Sequence, residues 1–161
     1  MTTAEFNKTV DLYSDNLYRF ILKNIRESDV AQDIVQDTFE KLWKKVDEIE
    51  YETAKSYMFS TGYRTMIDVI RKDKHKGDFD DVNEEMYSTN EQYTDLQEVL
   101  QEALQTLPEI QRSVIMLRDY EGYPYDEIGE ITGLNESQVK VYIFRARKAL
   151  KQYIGNLEMV V

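Results

Sequence analysis

Apolar side chains recur along this chain at steps of three and four, a period that predicts helices over most of its length. Phe6, Val10, Tyr13, Leu17, Phe20 and Ile21, widened by Tyr18 and Leu22, predict a first helix over about 3–25. Ser28 fits the N-cap of a second helix, with Asp29 favourable beside its dipole and Val35, Phe39, Leu42, Val46 and Ile49 turned inward. Thr53 fits the cap of a third helix reaching about His75, with Met58, Gly62, Met66 and Val69 inside. The period then stops. It resumes at Leu96, Val99, Leu100, Ala103, Leu104 and Leu107, a face ended by Pro108. A helix over about 109–120 follows, with Val114, Ile115, Met116 and Leu117, and Gly122 closes it.

The stretch from Tyr123 to Tyr153 carries the most specific pattern. Pro124 suits the first turn of a short helix, where its missing N–H has no helical partner. Gly133 stands where a left-handed residue stops that helix, and Asn135 where an N-cap starts the next. Val139, Ile143, Ala146, Leu150 and Ile154 form one inward stripe, leaving Ser137, Gln138, Lys140, Val141, Arg145 and Lys148 outside. A helix-turn-helix whose second helix is polar and basic has the geometry of a major-groove reader. The same spacing also fits a helical hairpin with a solvated face. The expected fold is all-α: two small helical domains, over 3–76 and 96–155, joined by an acidic linker over 77–95.

Composition narrows the function. The chain has 161 residues, 42% of them hydrophobic, no cysteine and one histidine, His75. Disulfides, thiolate metal sites and thiol nucleophiles are thereby excluded, and a histidine triad is disfavoured. No Gly-rich phosphate loop or nucleophile elbow occurs. Asp80–Asp81 and Glu84–Glu85 fall in the linker, and Glu127 and Glu130 read as surface charge. No catalytic residue, metal or cofactor is expected, and the protein is read as non-enzymatic. No apolar run approaches the ~20 residues of a membrane span, and the N-terminus lacks a secretory pattern, so a cytoplasmic protein without membrane insertion is expected.

A net charge of −11 looks wrong for a nucleic-acid binder, but the acidity is local. Residues 78–108 carry nine acidic and no basic side chains, and two basic islands remain, Arg64–Lys76 and Lys140–Lys151. Tyr57, Phe59 and Tyr63 precede the first island, and aromatics beside cations suit single-strand binding; aromatics at helical spacing equally suit a core. On the second helix Asp33, Gln36, Asp37, Glu40 and Lys44 share the outer side, which by itself reads as a solvated face.

Three segments in order resemble sigma factors of the sigma-70 superfamily. DVAQDIVQDTFEKLW (29–43) is similar to the core-binding segment, and YMFSTGYRTMIDVIRKDKHK (57–76) to the promoter-melting segment. LPEIQRSVIMLRDYEGYPYDEIGEITGLNESQVKVYIFRARKAL (107–150) is similar to the second DNA-binding domain. Two domains without an intervening one is the arrangement of the extracytoplasmic-function type. The resemblance implies RNA polymerase core as partner, through the β′ clamp helices and the β flap, and promoter DNA. It also implies that an anti-sigma factor is a possible partner. Asp33, Gln36 and Asp37 fall on the clamp-docking positions. Tyr57, Tyr63, Arg64, Arg71 and Lys72 fall where family members hold the unpaired −10 strand. Asn135, Glu136, Ser137, Gln138, Lys140, Val141 and Arg145 fall on the helix laid in the −35 groove.

Three departures stand out: Tyr63-Arg64 where Arg-Asn is common, Tyr142 where Arg is common, and Pro124 in place of Ser. They leave the promoter sequence unassigned. The readings alternative to a sigma factor are a stand-alone helix-turn-helix regulator and, from another class, a helical protein-binding adaptor.

Overall fold

The computed structural model describes residues 1–75 and 95–160, with side chains over 1–73 and 96–156. Except for Asp95, the expected acidic linker lies outside the described residues. Among the described residues there are seven α-helices: α1 (Thr3–Ile25), α2 (Ser28–Lys44), α3 (Ala54–His75), α4 (Asp95–Thr106), α5 (Glu109–Ile115), α6 (Tyr125–Thr132) and α7 (Glu136–Val160). No strand occurs among the described residues.

In the first half, α1, α2 and α3 pack on one another around Leu17, Phe20, Ile21, Leu42, Met58 and Met66. Thr2 caps α1 in a reciprocal box with Glu5, and Arg26 ends it in the left-handed region at φ 64°. α3 crosses α1 closely at Gly62, where an added Cβ would lie 2.8 Å from Leu17 Cδ1 and the Leu17 side chain would have to turn aside. In α2 the buried stripe is Ala31, Ile34, Thr38 and Leu42, with Val35 and Phe39 half-buried at its border. This corrects the expected stripe through Val35 and Phe39. Thr38 passes as polar in sequence, yet it hides its hydroxyl by donating to Ile34 O at 2.7 Å. Glu27, not Ser28, holds the N-cap position of α2. Thr53 ends a 3₁₀ turn before α3, and its hydroxyl donates to Glu50 O at 3.1 Å.

In the second half α5 continues into a π turn over Met116–Tyr120, and Gly122 at φ 74° reverses the chain. Val114, Ile115, Met116 and Leu117 are all buried. The two halves pack against each other, α6 lying on α3. Phe59 marks the junction: its ring stands 6.0 Å from Phe20 and meets Tyr123 edge-on at 5.3 Å.

Candidate nucleic-acid interface

The helix-turn-helix is built by four local devices. Pro124 stands at the N-cap of α6, one position before the first helical turn where it was expected, and its carbonyl accepts from Ile128 N at 3.0 Å. Gly133 stops α6 at φ 80°, its N–H donating to Gly129 O at 2.8 Å. Gly129 lets α6 touch the turn, since a Cβ there would lie 2.7 Å from the Leu134 carbonyl oxygen. Asn135 then caps α7. Gln138 N donates to Asn135 Oδ1 at 2.8 Å, and Asn135 N donates to Gln138 Oε1 at 3.0 Å.

That cap fixes the rotation of α7 about its axis. Val139, Ile143 and Ala146 are buried, while Asn135, Glu136, Ser137, Gln138, Lys140, Val141 and Arg145 are all exposed. Gln138 has a structural duty besides any reading of bases, because its amide oxygen serves the cap. Lys140 pairs with Glu136 at 3.3 Å and stands 5.7 Å from the Tyr125 ring centre. Arg147 is held by Asp119 at 2.8 Å, across to the π turn. Arg145 and Lys148 remain exposed on the outer side. Phe144, absent from the residues expected to touch DNA, is 68% exposed on that same side.

On α3, Arg64, Arg71 and Lys72 reach solvent, and Arg64 Nε donates to Ser60 O at 3.3 Å. Tyr57 is half-buried against the core. Tyr63 is only 7% exposed, and burial, with Glu109 of α5 nearby, pushes its phenol pKa up. In this arrangement its ring offers no free face to a base. The cause is tertiary: α3 is covered by α1 and α2 on one side and by the second half on another.

On α2, Asp33 and Gln36 are exposed, and Asp37 pairs with Lys41 at 3.2 Å. Lys41 also donates to Thr65 at 2.9 Å, tying α2 to α3. Beside Gln36 and Glu40 an apolar groove is lined by Phe6, Phe39 and Trp43, with Trp43 46% exposed and 5.1 Å from the Phe6 ring. Among the described residues no group of three or more acidic, His or Cys side chains is arranged to hold a metal, and no helix is long and apolar enough to cross a membrane.

Residues 9–76 match the family model for sigma-70 region 2, and residues 97–150 match that for sigma-70 region 4. RNA polymerase sigma factor SigV of Bacillus subtilis is 34% identical over 142 residues, covering 86% of this chain and 84% of the relative. The chain belongs to the extracytoplasmic-function sigma factors of the sigma-70 superfamily. ECF RNA polymerase sigma factor SigM of the same organism is 26% identical over 145 residues, covering 87% of this chain and 89% of the relative. Among solved structures, the sigma factor RpoE of Bartonella quintana, crystallised with the anti-sigma factor NepR, has the same fold. Its TM-score is 0.76 at 24% identity, over 93% of this chain and 96% of that one. This sigma factor therefore directs transcription initiation with RNA polymerase core at promoters. α1–α3 lie largely in its region 2 match, and α4–α7 lie largely in its region 4 match.

Proposed function

We propose that this sigma factor grips polymerase and promoter through three helical faces. Asp33, Gln36 and Asp37 of α2 dock on basic side chains of the β′ clamp helices through charge-assisted hydrogen bonds. Tyr57, Tyr63, Arg64, Arg71 and Lys72 of α3 hold the displaced −10 strand by stacking and phosphate contact. Asn135, Glu136, Ser137, Gln138, Lys140, Val141 and Arg145 of α7 occupy the −35 major groove, the early ones at base edges and Arg145 at phosphate. The second half, over 96–155, sits on the β flap, and the first, over 3–76, on the clamp, with 77–95 as the tether between them. The observation that carries this reading is the capped α7, whose buried stripe leaves every one of those seven side chains exposed. For Tyr63 the role requires the second half to leave α3.

The protein acts in the cytoplasm and catalyses no reaction of its own. RpoE of Bartonella quintana was solved with an anti-sigma factor, and an inhibitor of that kind, competing for the polymerase-binding faces, is proposed here as well. Pull-down with RNA polymerase core, followed by transcription from a promoter library, tests the reading. Retention of core and transcripts from a defined promoter class are expected. Tight duplex binding without core would favour a stand-alone regulator, and loss of both activities a protein-binding adaptor.

A further inference from the structure

Two large apolar side chains are exposed on α7 beside the cations of its outer face: Val141 at 43% and Phe144 at 68%. On a 3.6-residue helix, Ser137, Val141, Phe144 and Lys148 follow at steps of four, three and four, so the pair shares one stripe, opposite Val139, Ile143 and Ala146. A single exposed apolar residue is ordinary on a surface. Here there are two, one helical turn apart, on the helix that the fold presents for docking. Lys140, Arg145 and Lys148 surround them, and all three are exposed.

Basic charges around a small apolar patch select an occupant that is anionic outside and apolar at one point within. Duplex DNA has that chemistry. Its phosphates flank the major groove, and the one apolar group on the groove floor is the 5-methyl of thymine. Val141 and Phe144 lie about 4.5 Å apart along the helix axis, against ~3.4 Å for one base-pair step, so they meet neighbouring base pairs. Both side chains are incapable of donating or accepting a hydrogen bond, so neither distinguishes bases by the donor and acceptor code. The methyl group is what is left for them to read.

We infer that Val141 and Phe144 form an apolar reader of thymine methyl groups at one or two adjacent positions of the −35 element, Phe144 acting as a specificity residue. This rests on the assignment of α7 to the −35 groove. Asn135 and Gln138, partly committed to the cap, leave room for such a reader, because their oxygens already accept backbone N–H groups.

The test uses full-length protein with polymerase core. The −35 sequence preferred by the holoenzyme is first selected from a library randomised there. Each thymine of the selected element, on either strand, is then replaced by deoxyuridine, which removes only the methyl group. At one or two adjacent positions deoxyuridine is expected to lower open-complex formation roughly fourfold, the factor for withdrawing one buried methyl-sized group. Phe144→Ala should lower activity on the thymine promoter by a similar factor and abolish the thymine–uracil difference at one of those positions. Val141→Ala should do so at its neighbour, and Phe144→Leu should keep most of the discrimination. Deoxyuridine without effect at every position, discrimination of undiminished size in both alanine variants, or a selected element without thymine overturns the inference. A holoenzyme that forms no open complexes on any library member overturns the sigma-factor assignment of α7 itself, which is a different failure.

Discussion

Arg112 and Asn24 stand 88 positions apart in sequence, yet Arg112 Nε donates to Asn24 Oδ1 at 3.0 Å inside the contact between the two halves. The bond is one strand of a buried network. Ser113 Oγ donates to the same oxygen at 3.4 Å, Asn24 Nδ2 donates to Phe20 O at 2.9 Å, and Gln105 joins Arg112 to the carbonyl of Lys23. Burial disfavours the guanidinium charge and draws its pKa down, while Glu109 opposes that shift.

Asn24→Ala removes the acceptor that serves two buried donors, and an unsatisfied buried donor costs about 1–3 kcal/mol. Urea unfolding should show a midpoint lowered accordingly. Asn24→Leu combined with Arg112→Met should recover part of the loss, because an apolar pair leaves no polar group stranded. An unchanged midpoint in Asn24→Ala would mean that the halves do not share this contact in solution.

Much of the fold was legible because most of the helices announce themselves by apolar period and by their stops. Thr3–Ile25 and Glu136 onward fell where Phe6–Leu22 and Asn135 placed them, since caps and stripes are local physics. Thr38 was not legible as core, because its polarity in sequence hides the bond to Ile34 that lets it be buried. Nor was Tyr63: its position in α3 is local, but what covers it arrives from residues 109 onward. The network of Asn24, Gln105 and Arg112 left no periodic signal at all, being three polar residues from separate helices. For the candidate site the outer face of α7 could be read as a whole, whereas the double duty of Gln138 needed coordinates.

Gln138 allows cap and base contact to be separated. Gln138→Ala should lower stability by roughly 0.5–1 kcal/mol through loss of the reciprocal cap. Gln138→Glu keeps an acceptor at that position and removes the NH₂. It should retain stability while changing promoter choice at one −35 position, as read by library transcription. Arg145→Ala, by contrast, should weaken binding about equally on all promoters and reduce the salt slope by roughly one.

The α2 face is tested most cleanly away from Lys41. Asp37→Arg would set two cations side by side and disturb the Lys41–Thr65 tie, so its effect would mix folding with docking. Asp33→Arg with Gln36→Arg changes only exposed positions. Affinity for polymerase core should fall by at least about tenfold with the thermal midpoint unchanged, since opposed like charges cost on the order of 1.4 kcal/mol or more. Unchanged affinity would remove this face from the docking surface.

Gly62 and Gly129 both stand at close approaches but should differ in tolerance. At Gly62 a Cβ meets the end of the Leu17 side chain, which can turn aside, and alanine regains helix propensity of up to about 1 kcal/mol. At Gly129 it meets the backbone carbonyl of Leu134, which cannot move without unseating the turn before α7. Gly129→Ala should therefore destabilise more than Gly62→Ala, by overpacking of about 1–3 kcal/mol. It should also cost −35 recognition disproportionately, measured as promoter activity at matched folded protein.

The packed halves cannot serve a promoter as they stand. Elements at −10 and −35 lie roughly 25 base pairs apart, about 85 Å at 3.4 Å per step. A packed chain of this length has a radius of gyration of only about 15 Å. Binding both elements at once therefore requires α6 and the π turn to leave α3 and α1. Lys23 and Tyr120 face each other across that contact, Nζ 4.0 Å from the ring centre, and the chain has no native cysteine. Lys23→Cys with Tyr120→Cys, joined by a short thiol-reactive linker, should lose promoter-directed transcription by at least about tenfold. Each single variant, treated with the same reagent, should keep it. Normal transcription by the joined protein would mean that the two reading faces are reached without parting the halves, and the two-element grip would have to be abandoned.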